Sequence, residues 1–270
     1  MGRENWTSEK IFERLLNNKS QKTYWNNISE LRKRANNDVF NQAYVFAKSK
    51  INKKKIIGID VLAQLGFDPR LRQKETIKLY FNLLEENQND DVLFSLFFGI
   101  SHNNEKLTNN QVLQLIKFKN SKNNDIRYSL VSAISGVDNP KAIETLIELS
   151  EDNYSSIRNW ATFGIGTLCE QNNDLIVKAL WNRIKDKHQE TKLEAIVGLA
   201  NRKQVAVKEQ IIEELKSGEY GTLLFDAIET LKDKDFIPHL ENNLKSAKND
   251  SGIKEEWIVD LKQCLNKLSA

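Results

Sequence analysis

Cysteine, proline, glycine and histidine are all scarce in this chain, and each scarcity removes a class of protein. The two cysteines, Cys169 and Cys264, stand far apart within helical patterns. They are too few for a disulfide framework, which points to a reducing compartment, the cytoplasm. Three prolines and 11 glycines leave no Gly/Ser-rich or Pro-rich linker, so short helix–helix turns are favoured over a hinged pair of domains. His102, His188 and His239 are isolated, without the paired His/Cys/Asp spacing of a metal site, and neither metal nor cofactor is expected. No run approaches the roughly 18 to 20 apolar residues of a membrane span. Residues 1–16 are charged and amphipathic, unlike a signal peptide. Met1-Gly2 opens as a myristoylation signal would, but Trp6 occupies the place of the required Ser or Thr and Thr7 comes one position late.

An excess of one charge is missing too. Forty Lys and Arg against 37 Asp and Glu give a net charge of +3 over 270 residues, far from the basic excess of nucleic-acid binders. Gly164-Ile165-Gly166 is no phosphate loop, because it lies inside a helical pattern in a chain without strand signals. Cys169 has no nearby His or basic pair to make it a nucleophile. Asn-rich turns such as Asn103-Asn104, Asn109-Asn110 and Asn123-Asn124 carry no functional signal.

What the sequence has is a repeat. Ile126, Leu130, Ala133, Ile134 and Val137 form one apolar helical stripe, with Asp125 placed to cap it. Asp138-Asn139-Pro140 breaks that helix. Ala142, Ile143, Leu146, Ile147 and Leu149 then form a second amphipathic helix. Ile157, Ala161, Gly164, Ile165 and Leu168 restart the first pattern. Taking Ile126 as position 0, the register recurs at Ile57, Val92, Ile157, Thr191, Leu223 and Ile253, at intervals of 30 to 35 residues. Position 8 is always apolar: Leu65, Ile100, Ile134, Ile165, Leu199, Leu231 and Leu261. Hairpins this short cannot bury their own apolar faces and make a core by stacking on neighbours.

Asp125-Ile126-Arg127 with Ala133-Ile134, and Ser156-Ile157-Arg158 with Gly164-Ile165, resemble the second helix of HEAT-like (PBS-lyase-type) repeats. The resemblance is clear over 90–200, weaker over 53–89 and 201–268, and absent from the first 50 residues. It implies an all-α, right-handed α-solenoid of about seven helical hairpins forming one domain over 1–270, with repeats over 53–268. Residues 1–50 form an atypical N-terminal cap, with helices over 7–17, 22–35 and 38–50. Trp25, Ile28 and Leu31 share the apolar face of its second helix, and Arg32, Lys33, Arg34, Lys48 and Lys50 suit a solvated outer face.

In HEAT-like arrays the second helix of each hairpin lines the concave side, and positions 2, 3 and 6 of the register point toward that groove. Phe94, Phe98, Tyr128, Trp160 and Phe163 fall there in the middle repeats, Asp60 near the start, and Glu194, Phe225 and Asp226 near the end. The aromatics are either inter-repeat packing or an apolar groove for a partner's peptide or helix, with Trp160 and Tyr128 as anchors. At position 1, Arg127, Arg158 and Lys192 form a basic ladder. It is either structural, pairing with acids such as Asp125 and Asp152, or an anion-binding strip.

The resemblance implies a partner-binding surface and no particular chemistry. The leading expectation is a non-enzymatic scaffold, adaptor or immunity-type inhibitor that binds another protein or peptide, with no catalytic residue, nucleic acid or membrane involved. The partner's identity and the oligomeric state stay open. The alternatives are a HEAT-like alkylpurine DNA glycosylase, with Trp160 and Tyr128 against the lesion and Asp226 or Asp60 as the acid, or a bilin-lyase-type chaperone. Groove positions nearly devoid of Lys and Arg argue against DNA.

Overall fold

Amphipathic segments separated by capping residues give helix after helix along this chain. The computed structural model describes residues 2–86, 88–247 and 252–269, and every regular element among them is helical. Met1, on which the myristoylation reading rests, lies outside the described residues. The helices are α1 (Ser8–Leu16), α2 (Gln21–Arg34), α3 (Asn37–Ala47), α4 (Asn52–Ala63), α5 (Gln73–Leu84), α6 (Asp90–Ser101), α7 (Asn109–Leu115) and α8 (Asn124–Ile134). They continue with α9 (Pro140–Leu149), α10 (Ser155–Phe163), α11 (Asp174–Arg183), α12 (Gln189–Asn201), α13 (Lys208–Ser217), α14 (Leu223–Leu231), α15 (Ile237–Ala247) and α16 (Glu255–Ser269). Asparagine starts many of them: the side chains of Asn36, Asn89, Asn123 and Asn173 each accept a backbone N–H of the first turn. Asn123, not Asp125, therefore caps α8. Thr108 and Gln111 close a reciprocal capping box on α7.

The chain divides into two compact units, Met1–Lys141 and Ala142–Ala270. In the first, α4, α6 and α8 pack one on the next, with α3 and α5 along α4 and α6. In the second, α10, α12, α14 and α16 do the same, with α11 along α12 and α15 along α16. These successive inner helices are the ones that begin near position 0. Their apolar stripes fill the cores: Ile57, Val61 and Leu65; Val92, Leu96 and Ile100; Ile126, Leu130 and Ile134; Ile157, Ala161 and Ile165 are all buried. The chain is an all-α solenoid of HEAT-like hairpins.

Four details depart from the sequence pattern. In the nine-residue α14 the buried stripe is Leu224, Ala227 and Ile228, which also satisfies helical spacing, and Leu223 and Leu231 are only half-buried. Leu168 is exposed because Gly164–Leu168 forms a π-helical turn, which widens the helix and rotates that residue out of the stripe. Trp25 is exposed, since α2 buries Asn27, Ile28 and Leu31 instead. Asn27 accepts a hydrogen bond from Arg3 Nε at 2.8 Å, while its buried Nδ2 has no partner. Arg32 and Arg34 are not solvated: Arg32 donates twice to the Asp60 carbonyl and once to Gln64, and Arg34 reaches Glu30, Ser8 and the Arg3 carbonyl. Only Lys33, Lys48 and Lys50 of that basic group stand exposed.

The ends of the inner helices set a second requirement, because their last carbonyls are buried at repeat junctions. Arg202, itself buried, donates from Nη1 to the carbonyls of Gly166 (2.7 Å) and Gly198 (3.1 Å). Its Nη2 reaches those of Ile165 (2.7 Å), Cys169 (2.8 Å) and Gln171 (3.0 Å). Asn103 occupies the same register position and does likewise, from Nδ2 to Gly99 (2.7 Å) and to Ala63 of the preceding repeat (2.9 Å). Beside Arg202 the helices touch backbone to backbone: a Cβ on Gly198 would stand 2.6 Å from the Gly166 Cα and 3.0 Å from Leu180 Cδ1.

Two stability predictions follow from this junction. Arg202→Leu leaves several buried carbonyls without donors and should cost about 3 kcal/mol or more in urea unfolding, with Arg202→Lys failing to restore it because an ammonium cannot fork across them. Gly198→Ala should cost about 1 to 3 kcal/mol through overpacking against a backbone that cannot step aside. A Gly198→Ala protein that melts with the wild type would refute the close approach.

Candidate functional site

In the first unit the site is built from two inner helices and the N-terminal α2. Phe94 and Phe98 lie one turn apart on α6 with ring centroids 4.8 Å apart, and Tyr128 of α8 continues the row at 6.1 Å from Phe98. Phe94 is 38% exposed, whereas its neighbour Phe97 turns inward and is fully buried. Beside Phe94 opens a cavity of about 530 Å³ walled by Tyr24, Trp25, Lys53, Asp60 and Ser95. The Tyr24 hydroxyl donates to Asp60 Oδ2 at 2.6 Å. Burial pushes the Asp60 carboxyl up to about 6, against the opposing pull of the Tyr24 hydroxyl and of Arg32. Burial, followed by the Asp60 charge, also raises Tyr24 above its ordinary value.

Sequence reasoning missed Tyr24 and Trp25 as lining residues. Hydropathy ranks the Trp25 ring inward, but Asn27 takes the buried direction and Trp25 stands outward, with the Arg32 guanidinium 5.9 Å above its ring.

The second unit places its predicted residues differently. Trp160 on α10 is 44% exposed and meets the half-buried Phe163 edge to face, at 5.6 Å. Phe225 is buried, with Tyr220 at 5.8 Å and Trp257 at 5.7 Å, so its ring packs inward. Asp226 beside it is exposed and lines a cavity of about 290 Å³ with Glu229, Asp260, Gln263 and Lys267. Glu194 is buried on α12, and its Oε2 has no hydrogen-bond partner. Burial, then the charges of Asp226 and Glu190, raise its carboxyl to about 7.

The basic ladder is occupied by the protein itself. Arg127 Nη1 donates to the Ser121 carbonyl at 2.6 Å. Arg158 grips both oxygens of Asp186 at 2.7 and 2.9 Å and takes the Asp152 carbonyl at 2.9 Å, so the carboxylate it holds is Asp186 rather than Asp152. That fork holds the Asp186 carboxyl below its ordinary range. Lys192 pairs with Glu214 at 2.9 Å.

Among the described residues no three His, Cys, Asp or Glu side chains group as a metal site would. His188 acts as an N-cap, its Nδ1 facing the Thr191 N–H and hydroxyl, and His102 Nδ1 meets the Gln64 amide at 3.0 Å. Cys264 is buried, which pushes its thiol up to about 12. No described helix is long and apolar enough to cross a membrane.

Glu194 yields a pH prediction. Its folded chain holds the proton more tightly than the unfolded chain, so this group lowers stability as pH rises from about 4.5 to about 7 and adds no further change above. Glu194→Gln lacks that loss. The melting temperature of the variant should therefore gain on that of the wild type across this window, while the same-signed contribution of Asp60, present in both proteins, cancels. A difference that stays flat from pH 4.5 to 7.5 would refute the burial of this carboxylate.

No family model matches the chain. It is 32% identical over 123 residues to the protein YibA of Escherichia coli K12, a match covering 46% of this chain and 44% of that relative, so the two align over less than half of either length. The protein YibA of strain O157:H7 matches equally. The crystal structure of Escherichia coli YibA superposes on 98% of this chain and 93% of its own, with a TM-score of 0.71 and 23% identity. An engineered protein superposes on 97% of this chain and 78% of its own at a TM-score of 0.55 and 12% identity. At these identities the likeness is one of fold, and by fold this chain is an α-solenoid of HEAT-like repeats.

Proposed function

We propose that this protein is a non-enzymatic, cytoplasmic binding scaffold, an adaptor or an inhibitor, that holds a peptide or helix of another protein against the aromatic faces of its inner helices. The observation that carries the reading is the exposure of Phe94 and Trp160 at groove positions of helices whose aliphatic side chains, and Phe97 beside Phe94, are buried. A soluble helix gains by turning such rings inward, and exposed aromatics at the middle of a repeat surface are the residues that dominate interface energies. Phe98, Tyr128 and Phe163, half-buried, extend the two faces. Phe225 supports the second face from below rather than touching the partner, and Asp226 and Glu194 supply its acidic part. The ladder cations favour the structural reading over an anion strip, since Arg127, Arg158 and Lys192 each hold an oxygen of the chain itself.

Stability and binding should separate. Trp160→Ala and Phe94→Ala should melt within a few degrees of wild type, whereas truncation of the buried Phe97 should cost about 3 to 5 kcal/mol. In affinity capture from lysate followed by mass spectrometry, a partner held by wild type should weaken by about 2 kcal/mol or more in at least one exposed-ring variant. Duplex DNA at about 0.15 M salt should bind no more tightly than the non-specific range of roughly 10⁻⁴ to 10⁻⁶ M. Release of alkylated bases, or salt-sensitive submicromolar DNA binding, would replace the scaffold reading with that of a DNA enzyme.

A further inference from the structure

The acids of the second unit are arranged for something they do not themselves contain. Trp160 on α10, Glu194 on α12 and Asp226 on α14 fall at groove positions of successive inner helices, and these helices pack in that order. Glu190 stands one turn before Glu194, and Glu229 and Asp260 share a cavity with Asp226. The charges reach one another: Asp226 and Glu190 both raise the Glu194 carboxyl, and Glu229 and Asp260 both raise that of Asp226. Lys267 is the cation lining this cavity, and its ammonium is held by Glu229 at 2.6 Å. Glu194 is only 8% exposed, and its Oε2 is buried without a donor. A carboxylate in that position must either take up a proton or receive a cation.

We propose that Glu194 and Asp226 receive the guanidinium of an arginine in the partner segment, with the Trp160 ring of α10 as its stacking surface. The inference rests on the scaffold reading and adds the chemistry of the partner. Arginine fits better than lysine here, because its planar fork can donate to two carboxylates at once and lies flat on an indole, and its weaker hydration makes entry into a half-buried site less costly. The charge balance selects the sign: Asp226 and Glu190 act on Glu194, Glu229 and Asp260 act on Asp226, and the lysine lining the cavity, Lys267, is already held by Glu229. An acidic or neutral segment would leave Glu194 with no donor.

The test uses the full chain and a fluorescein-labelled octapeptide of alternating arginine and leucine, read by anisotropy at about 0.05 M salt. The control peptide carries citrulline in place of arginine, which keeps shape and hydrogen bonds but removes the charge. The arginine peptide should bind at least about tenfold more tightly than the citrulline peptide, and Glu194→Gln or Asp226→Asn should each reduce that preference severalfold. Glu105→Gln, an exposed acid in the first unit, should leave it unchanged. Asp226 is exposed, so Asp226→Asn tests the site even if Glu194→Gln alters folding. Equal affinity for the two peptides, or an equal loss from Glu105→Gln, overturns the proposal by reducing it to general attraction. Spermine and calcium at millimolar concentration serve as further arms: displacement of the peptide by either at a lower concentration than by free arginine peptide would mean a small-cation site instead. A captured protein partner that depends on Trp160 but binds Glu194→Gln and Asp226→Asn normally would sink the arginine inference and leave the scaffold reading standing.

Discussion

The repeats of this protein depend on what happens to the last carbonyls of each inner helix. A helix that ends at the surface gives those groups to water, but in a stack the end of one inner helix is covered by the next hairpin, and water is excluded. Arg202 and Asn103 answer this at one register position, eleven residues past position 0 in their repeats. Each reaches back one turn to a glycine carbonyl, Gly198 or Gly99, and across to the preceding repeat. Asn104 reaches the other way, donating to the Ala133 and Ser135 carbonyls at the end of α8. Arg32 does the same for the Asp60 carbonyl. The apolar stripes hold the helices together without direction, since burial depends on area alone. The polar ties add direction and fix the register of one repeat on the next.

The π turn at Gly164–Leu168 belongs to the same solution. A wider turn presents the carbonyls of Ile165, Gly166 and Cys169 outward, toward a guanidinium with enough donors to serve them all. Gly166 and Gly198 permit this, because the guanidinium reaches these carbonyls only where the two backbones nearly touch. The same turn sends Leu168 into solvent, so an apparent flaw in the apolar pattern is the by-product of a satisfied helix end.

Helix periodicity carried the fold because it is a local signal with a long-range consequence: an apolar residue at position 8 in seven places allows few arrangements other than a stack. Ends and surfaces were less legible. Position 11 holds Asn103, Arg202, Val137, Leu168 and Cys264 in different repeats, so no residue type marks it as the carbonyl donor. Trp25 and Asn27 were hard to order because hydropathy ranks the ring inward, and the Arg3 guanidinium that meets the Asn27 oxygen comes from 24 residues away, while the buried Nδ2 has no partner. Phe225 and Trp160 occupy neighbouring groove positions, yet one is buried and the other exposed; the difference lies in Tyr220 and Trp257, which come from other segments to cover Phe225. Burial at such positions is decided by what else arrives, and a pattern within one helix does not record it.

Charge tells the same story from the other side. Arg127, Arg158 and Lys192 read in sequence as either a structural ladder or an anion-binding strip, and Glu194 as one of the groove residues. In the fold their demands differ. The cations are held by carboxylates and carbonyls, with Arg158 and Asp186 forming a fork that a passing anion would have to break. Glu194 carries the unmet demand, being buried beside Asp226 with one oxygen lacking a donor. A charged group attracts in proportion to what its own protein leaves unsatisfied, and on that measure the unmet charge of the second unit is the negative one of Glu194, although the chain's net charge is +3.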